Sequence, residues 1–200
     1  MPAEAVAAVA PTQGDRIRDV ALTLFAERGY RGTSMKDIAQ ALNVSAPSLY
    51  NHLGSKHELL AEVMLATMNT LIAEHREAVL GAVSPADQLD RATAAHVRYH
   101  ARNPREVAIG NRDIPSLEEP THGALIELRR VYAHAWEELI REGVRAGEFD
   151  TPSPRLATYA ILEMGIGISM WFRPDGPMTE GEVVDHYCEI ARRVAGVQPR

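Results

Sequence analysis

Apolar side chains recur at intervals of three and four residues along most of the chain, and no segment alternates apolar and polar positions as a half-buried strand would. The pattern therefore predicts an all-α protein. Capping residues, glycines and prolines divide it into about nine helices. The predicted helices cover about residues 15–28, 34–42, 45–53, 56–80, 86–102, 105–112, 124–146, 155–172 and 180–195.

Residues 33–60 contain three helix starts in quick succession. Ser34 with Asp37, and Ser55 with Glu58, each have the spacing of a capping box, and Ser45 opens a short helix between them. Asn43 tolerates a left-handed backbone, so the chain can turn sharply there. Two short helices joined by a tight turn are typical of a helix-turn-helix motif.

The second of these short helices has an apolar face for packing and an outer face of small or hydrogen-bonding residues. A helix that reads DNA needs this division, because its outer face must fit a major groove about 12 Å wide. Tyr50, His52 and Lys56 can donate to phosphates. The predicted DNA-binding residues are Thr33, Ser34, Ser45, Ala46, Pro47, Ser48, Tyr50, Asn51, His52 and Lys56.

Residues 16–60, RIRDVALTLFAERGYRGTSMKDIAQALNVSAPSLYNHLGSKHELL, resemble the N-terminal domain of the TetR family of transcriptional repressors. Asn43 stands where the family usually has Gly, and Leu53 where it has an aromatic residue. The resemblance implies a helix-turn-helix DNA-binding domain over 14–55, after a disordered arm at 1–13, and a ligand-binding and dimerisation domain over 56–200. It also implies a homodimeric repressor of a palindromic, double-stranded operator, released by a small-molecule effector.

The charge distribution bears on how such a protein would bind DNA. The net charge is −6, but residues 1–60 hold six Lys or Arg and six Asp or Glu, so this part is neutral. Non-specific affinity for DNA is mostly electrostatic, so a neutral head on an acidic body limits it. Operator binding should then depend on a dimer that places two heads at once.

Other features exclude several classes of protein. The single cysteine excludes an intramolecular disulfide, no apolar run approaches the ~18 residues of a membrane span, and the N-terminus lacks the basic start of a signal peptide. A cytoplasmic protein without membrane contact is expected. No GxSxG, Walker or GxGxxG sequence is present, so we expect no enzyme, cofactor or metal site.

The helix over 155–172 is apolar nearly all round, with Glu163 its only charge after Arg155. Such a helix must be covered on every side. Together with the helix over 180–195 it is predicted to form a homodimer seam, a two-fold four-helix bundle. The alternative is that both helices are core of one subunit. The predicted interface residues are Gly165, Ile168, Val184 and Cys188.

Polar or aromatic residues on mostly apolar helix faces are candidates for an effector pocket, although core packing is the alternative for each. They are His96, Tyr99, Arg112, Tyr132, Trp136, Glu163 and Trp171. The segments IGNRDIPSL, RRVYAHAW and MWFRPDGPMTEGEVV also resemble a TetR branch in which regulators of lipid metabolism sense acyl-CoA thioesters. That resemblance implies an acyl-CoA or another lipid-derived effector.

Two other functions remain open at this point. His96 and His100 are four residues apart on one helical face, as a metal-binding pair would be, and with Glu163 they could serve a small helical metal-dependent enzyme. No HExxH signature accompanies them. The second alternative is a DNA-binding dimer without an effector, which a second domain with no internal cavity would favour.

Overall fold

The computed structural model describes residues 12–50 and 54–198. Within these ranges the chain forms nine α-helices and no strand, which confirms the predicted fold class; a single turn of 3-10 helix, Ile114–Ser116, follows the sixth helix. The helices are α1 Gln13–Arg28, α2 Met35–Ala41, α3 Ala46–Tyr50, α4 Lys56–Val79, α5 Pro85–Arg102, α6 Pro104–Arg112, α7 Thr121–Arg145, α8 Pro154–Trp171 and α9 Glu180–Ala195.

Side chains cap α2 and α4 where the sequence predicts, although at α4 the Ser55 hydroxyl accepts from the Glu58 N–H without the return bond of a full capping box. The Ser34 hydroxyl accepts from the Asp37 N–H at 3.2 Å, and the Asp37 carboxylate accepts from the Ser34 N–H at 2.7 Å. Asn43 has φ 56°, the left-handed conformation expected at the turn between α2 and α3. A further capping box, between Thr12 and Asp15, starts α1 two residues earlier than predicted.

The head and the body share one continuous apolar core. Phe25 of α1, Ile38 of α2 and Leu49 of α3 are buried together in the head, beside Leu59 and Leu60 of α4. At 1.5 Å per residue the 24 residues of α4 extend ~36 Å. The helix therefore leads from the head into the body, where it packs on α5 and α7.

The packing of α8 and α9 differs from the predicted dimer interface. Ile168 and Val184 are buried in the subunit's own core, where a partner cannot reach them. A Cβ on Gly165 would lie 2.3 Å from Cδ2 of His96, so this glycine makes room for a ring of its own subunit. Cys188 is half-buried, with Sγ 3.4 Å from the main-chain oxygen of Asp90. For Gly165, Ile168 and Val184 the alternative, core of one subunit, is correct, whereas the interface position of Cys188 stays a prediction.

A different face of α8 is left uncovered in the subunit. It carries large apolar side chains that are exposed: Leu156, Tyr159, Met170 and Trp171. Gly167 also has open space where a side chain would lie. Among the described residues, no helix combines the length and apolarity that a membrane crossing requires.

Candidate DNA-reading head and effector cavity

The described part of α3 separates a packing face from an outer face. Leu49 is buried, while Ser45 and Pro47 are exposed, Ser48 is half-buried and the Tyr50 side chain is 53% exposed. The predicted contacts Asn51 and His52 lie outside the described residues, as does the side chain of Ala46. Among the described residues, Ser45, Pro47 and Tyr50 therefore leave the outer face of α3 open, while Ser48 is partly covered by its own subunit.

Two predicted DNA contacts hold the head together instead. Thr33 is only 2% exposed, and its hydroxyl donates to the Leu24 main-chain oxygen at 3.2 Å, so the prediction that its side chain contacts DNA is wrong. The Lys56 ammonium donates to the oxygens of Tyr30 at 2.9 Å and Thr33 at 2.8 Å, and lies 4.0 Å from the centre of the Tyr30 ring. Burial lowers the Lys56 pKa. Lys56 thus ties α4 to the segment between α1 and α2.

The body contains a cavity of about 360 Å³ among helices α4 to α8. Of the predicted pocket residues, His96, Tyr132 and Glu163 line it. Most of its wall is apolar, with contributions from Met64, Met68, Leu71, Val107, Leu125, Ile126, Leu162 and Ile166. Polar side chains on the wall are Thr67, His96, His100, Glu106, Asn111, Arg129, Arg130, Tyr132, Tyr159 and Glu163.

Two buried histidines and a tyrosine form one polar part of this wall, which we call the histidine wall: His96, His100 and Tyr132. His96 Nδ1 lies 3.0 Å from the Tyr132 hydroxyl, and His96 Nε2 lies 3.1 Å from the Leu162 oxygen. His100 Nδ1 lies 2.8 Å from the His96 oxygen. Burial lowers the pKa of both histidines and raises that of Tyr132, so all three groups are neutral near pH 7.

Three predicted pocket residues lie away from the cavity. Tyr99 and Trp136 are buried core residues, and the Trp136 ring packs against His75 and His96 at centroid distances of 5.2 and 5.6 Å. Trp171, at the end of α8, is exposed and stacks on Tyr187. For Tyr99 and Trp136 the alternative of core packing is correct.

Arg112 also lies away from the cavity, contrary to the prediction, because its guanidinium extends from the body to the head. It donates to the oxygens of Phe25 and Ala26 at the end of α1, and pairs with Asp113 at 2.9 Å. Arg105, seven positions earlier, donates to the Thr23 hydroxyl at 2.8 Å and pairs with Asp19 at 2.9 Å. Two arginines of α6 therefore hold α1, while Glu106, Val107, Gly110 and Asn111 of the same helix line the cavity.

The cavity opens beside exposed residues of α7 and α8. Ile126 and Tyr159 are exposed at this mouth. Arg129 donates to the Gly110 oxygen at 3.4 Å, and Arg130 makes a two-point contact with Glu127 at 2.6 and 2.8 Å. The mouth thus combines apolar surface with two guanidinium groups, an arrangement suited to a ligand with an apolar end and an anionic end.

The residues of the metal-enzyme alternative are not arranged as a metal site. Both ring nitrogens of His96 already have hydrogen-bond partners, and Glu163 is exposed at the surface of α8. In the part of the chain that the structure describes, no three His, Cys, Asp or Glu side chains are grouped so that they could hold a metal ion.

Comparisons with known proteins match both parts of the chain. A family model described as bacterial regulatory proteins, tetR family, matches residues 17–63. A second, described as tetracyclin repressor-like, C-terminal domain, matches residues 82–195. The HTH-type transcriptional repressor KstR2 of Mycobacterium tuberculosis H37Rv is 27% identical over 174 residues, which cover 86% of this chain and 87% of KstR2.

Solved structures agree with these matches. PfmR, a TetR family transcriptional regulator from Thermus thermophilus, is 36% identical with a TM-score of 0.81, over 92% of this chain and 100% of PfmR. AibR, solved in complex with isovaleryl coenzyme A and operator DNA, is 24% identical with a TM-score of 0.78, over 92% of this chain and 100% of AibR. At this identity the likeness to AibR establishes the fold alone.

Proposed function

The chain belongs to the tetR family of bacterial regulatory proteins, and from this premise we propose that it represses transcription as a homodimer on a palindromic operator, which it leaves when an effector fills the cavity. The observation that carries the proposal is the position of α6. One part of that helix lines the cavity, and its two arginines hold α1 of the head. An occupant of the cavity therefore touches the element that orients the head.

DNA binding is assigned to residues 14–55, with residues 45–52 entering the major groove. Tyr50 of α3 is exposed, as are Arg16, Arg31 and Lys36 elsewhere on the head. In a dimer the two heads would be spaced by about one helical turn, ~34–36 Å, to reach adjacent grooves. Such a regulator acts where the DNA is, in the cytoplasm.

The exposed apolar face of α8 is the proposed dimer seam, within the ligand-binding and dimerisation domain over 56–200. Leu156, Tyr159 and Met170 expose apolar surface along one helix, and contiguous apolar surface of this kind marks a protein interface. Tyr159 also lines the cavity, so the mouth lies at the edge of the seam.

The effector is proposed to be an acyl-CoA thioester. A cavity of about 360 Å³ lies at the small end of the range for ligand pockets, ~300–1,000 Å³, so it suits the acyl part of such a molecule. Arg129 and Arg130 at the mouth supply charge for the phosphates of the remainder. The AibR complex supports this assignment, since the same fold holds isovaleryl coenzyme A there.

Two helices would carry the response from the cavity to the head. Met64, Thr67, Met68 and Leu71 of α4 line the cavity, and the same helix begins at Lys56 in the head. The α6 arginines add a second connection. An effector can release DNA only by its different affinity for the DNA-bound and free arrangements of these helices.

A footprint on the DNA flanking the protein's own gene, followed by gel shifts with a panel of acyl-CoA thioesters, tests the proposal. The expected result is a protected palindrome whose complex dissociates with at least one thioester. Failure to protect any palindrome would contradict the DNA-binding assignment. Unchanged binding across the panel would favour the effector-free dimer instead.

A further inference from the structure

The hydrogen bonds of the histidine wall determine which ring nitrogens carry protons. A carbonyl oxygen can only accept, so His96 Nε2, 3.1 Å from the Leu162 oxygen, must carry a proton. The same holds for His100 Nδ1, 2.8 Å from the His96 oxygen. Because burial keeps both rings neutral, the second nitrogen of each ring is a bare acceptor.

The two bare nitrogens differ in their surroundings. His96 Nδ1 accepts from the Tyr132 hydroxyl at 3.0 Å and is satisfied. His100 Nε2 lies on the ring edge opposite Nδ1 and has no hydrogen-bond partner among the described residues, and His100 is a lining residue of the cavity. His100 is only 2% exposed and lines the cavity, so the small part of its ring that a ligand can touch is reached from the cavity.

Tyr132 adds to this polarity. The Tyr132 hydroxyl donates its single proton to His96, so its oxygen can only accept further hydrogen bonds. The histidine wall therefore presents acceptors and no free donor, beside apolar side chains such as Met68, Leu71 and Leu162.

We propose that His100 determines specificity, and that the cavity selects an effector whose inner part carries a hydroxyl or N–H donor for His100 Nε2. This inference rests on the proposed function only in taking the cavity as the effector site. A hydroxyl would donate to the bare nitrogen, whereas an ether or carboxylate oxygen would face it with lone pairs. Leaving a buried acceptor unpaired costs enough to make the expected discrimination about tenfold.

Three small probes, two of them isomers, test this without any CoA or DNA. Calorimetric titration of the full-length protein compares 1-hexanol with 1-methoxypentane, an isomer that lacks the donor, and with hexanoate. We expect 1-hexanol to bind about tenfold more tightly than either. In His100→Phe the alcohol and the ether should bind equally. The matched control His134→Phe replaces an exposed histidine of α7 that does not line the cavity, and should keep the preference.

Nitrogen-15 NMR of the histidine-labelled wild-type protein provides a second measurement that does not depend on the variant folding. We expect His100 Nε2 to be unprotonated and its resonance to move with 1-hexanol but not with 1-methoxypentane. Equal affinities, no saturable binding of 1-hexanol, or a protonated Nε2 would overturn the inference. These readouts are separate from operator release by thioesters, so either proposal can fail while the other stands.

Discussion

The guanidinium of Arg112 donates to the main-chain oxygen of Ala26 at 3.2 Å, joining the last turn of α6 to the last turn of α1. Carbonyls in the last turn of a helix lack intrahelical partners, and that end of the helix favours a positive charge. The contact therefore satisfies groups of the head with a side chain of the ligand-binding domain. It also gives α6 a direct mechanical connection to the DNA-reading head.

Arg112→Ala should separate effector binding from DNA release. Without the guanidinium, α6 loses one of its two connections to α1, so the effector-induced loss of operator affinity should fall about fivefold or more. Affinity for the effector alone should stay within about twofold, because Arg112 does not line the cavity. Fluorescence anisotropy of labelled operator, with and without thioester, measures both.

Arg141→Ala is the matched control for that variant. Arg141 is an arginine of α7 whose contacts are with Glu137 and Glu138 of its own helix. Arg141→Ala should therefore lose operator affinity with the effector as much as the wild-type protein does. An unchanged response in Arg112→Ala would show that Arg112 does not carry the signal, which would leave it to α4 and Arg105.

Lys56→Ala and Tyr50→Phe should both weaken binding to operator DNA and to random DNA alike, but for different reasons. Removing the ammonium takes one donor away from the oxygens of Tyr30 and Thr33, so Lys56→Ala should lose about 1–3 kcal/mol of unfolding free energy. Tyr50 is exposed, so Tyr50→Phe should keep wild-type stability and lose only a phosphate contact. Thermal unfolding and salt-dependent DNA titrations distinguish the two.

Wild-type stability of Lys56→Ala, together with a salt dependence reduced by about one phosphate, would show that Lys56 contacts DNA instead. A change in base preference alone in Tyr50→Phe would refute the assignment of Tyr50 to a phosphate contact.

His75 should make the protein less stable in mild acid. It is buried, its Nδ1 has no hydrogen-bond partner, and burial lowers its pKa from 6.5 to about 4. The unfolded chain therefore binds a proton that the folded protein does not, so unfolding free energy falls as pH drops below about 6.5 and levels off near 4. The loss from this residue is up to about 3 kcal/mol.

His75→Phe should reduce this pH dependence while keeping the aromatic packing against Trp136. Urea unfolding of both proteins at about pH 7 and pH 4.5 measures the difference. His96 and His100 contribute in the same direction to both proteins, so some dependence remains. Identical pH dependence in the two proteins would show that folding does not lower the pKa of His75.

Met170→Glu and Gly167→Phe should dissociate the dimer. Met170 is 81% exposed on α8, and Gly167 has open space around it, so both changes alter the proposed seam without disturbing the subunit core. Val83→Glu, at an exposed apolar position between α4 and α5, is the control. Light scattering should give half the wild-type mass for the two seam variants only. Dimeric seam variants would place the interface elsewhere.

Local chemistry explains which features could be predicted from the sequence. The Ser34–Asp37 box and the turn at Asn43 depend on neighbours within a few residues, and both were predicted correctly. The partners of Arg112 and Gly165 were not, because Ala26 and His96 lie 86 and 69 positions away along the chain. A glycine on an apolar helix has the same sequence pattern whether it faces a partner or a histidine of its own subunit.

The operator affinity of Gly110→Leu, with and without thioester, tests the coupling of cavity and head most directly. Gly110 lines the cavity, and nothing outside its own helix backbone lies within 4 Å of the place a Cβ would take, so leucine should exclude an acyl group from that part of the cavity without displacing α6. A thioester should weaken wild-type binding about tenfold or more, while the variant should bind the operator and ignore the thioester. Release of the variant by the same thioester would contradict the account.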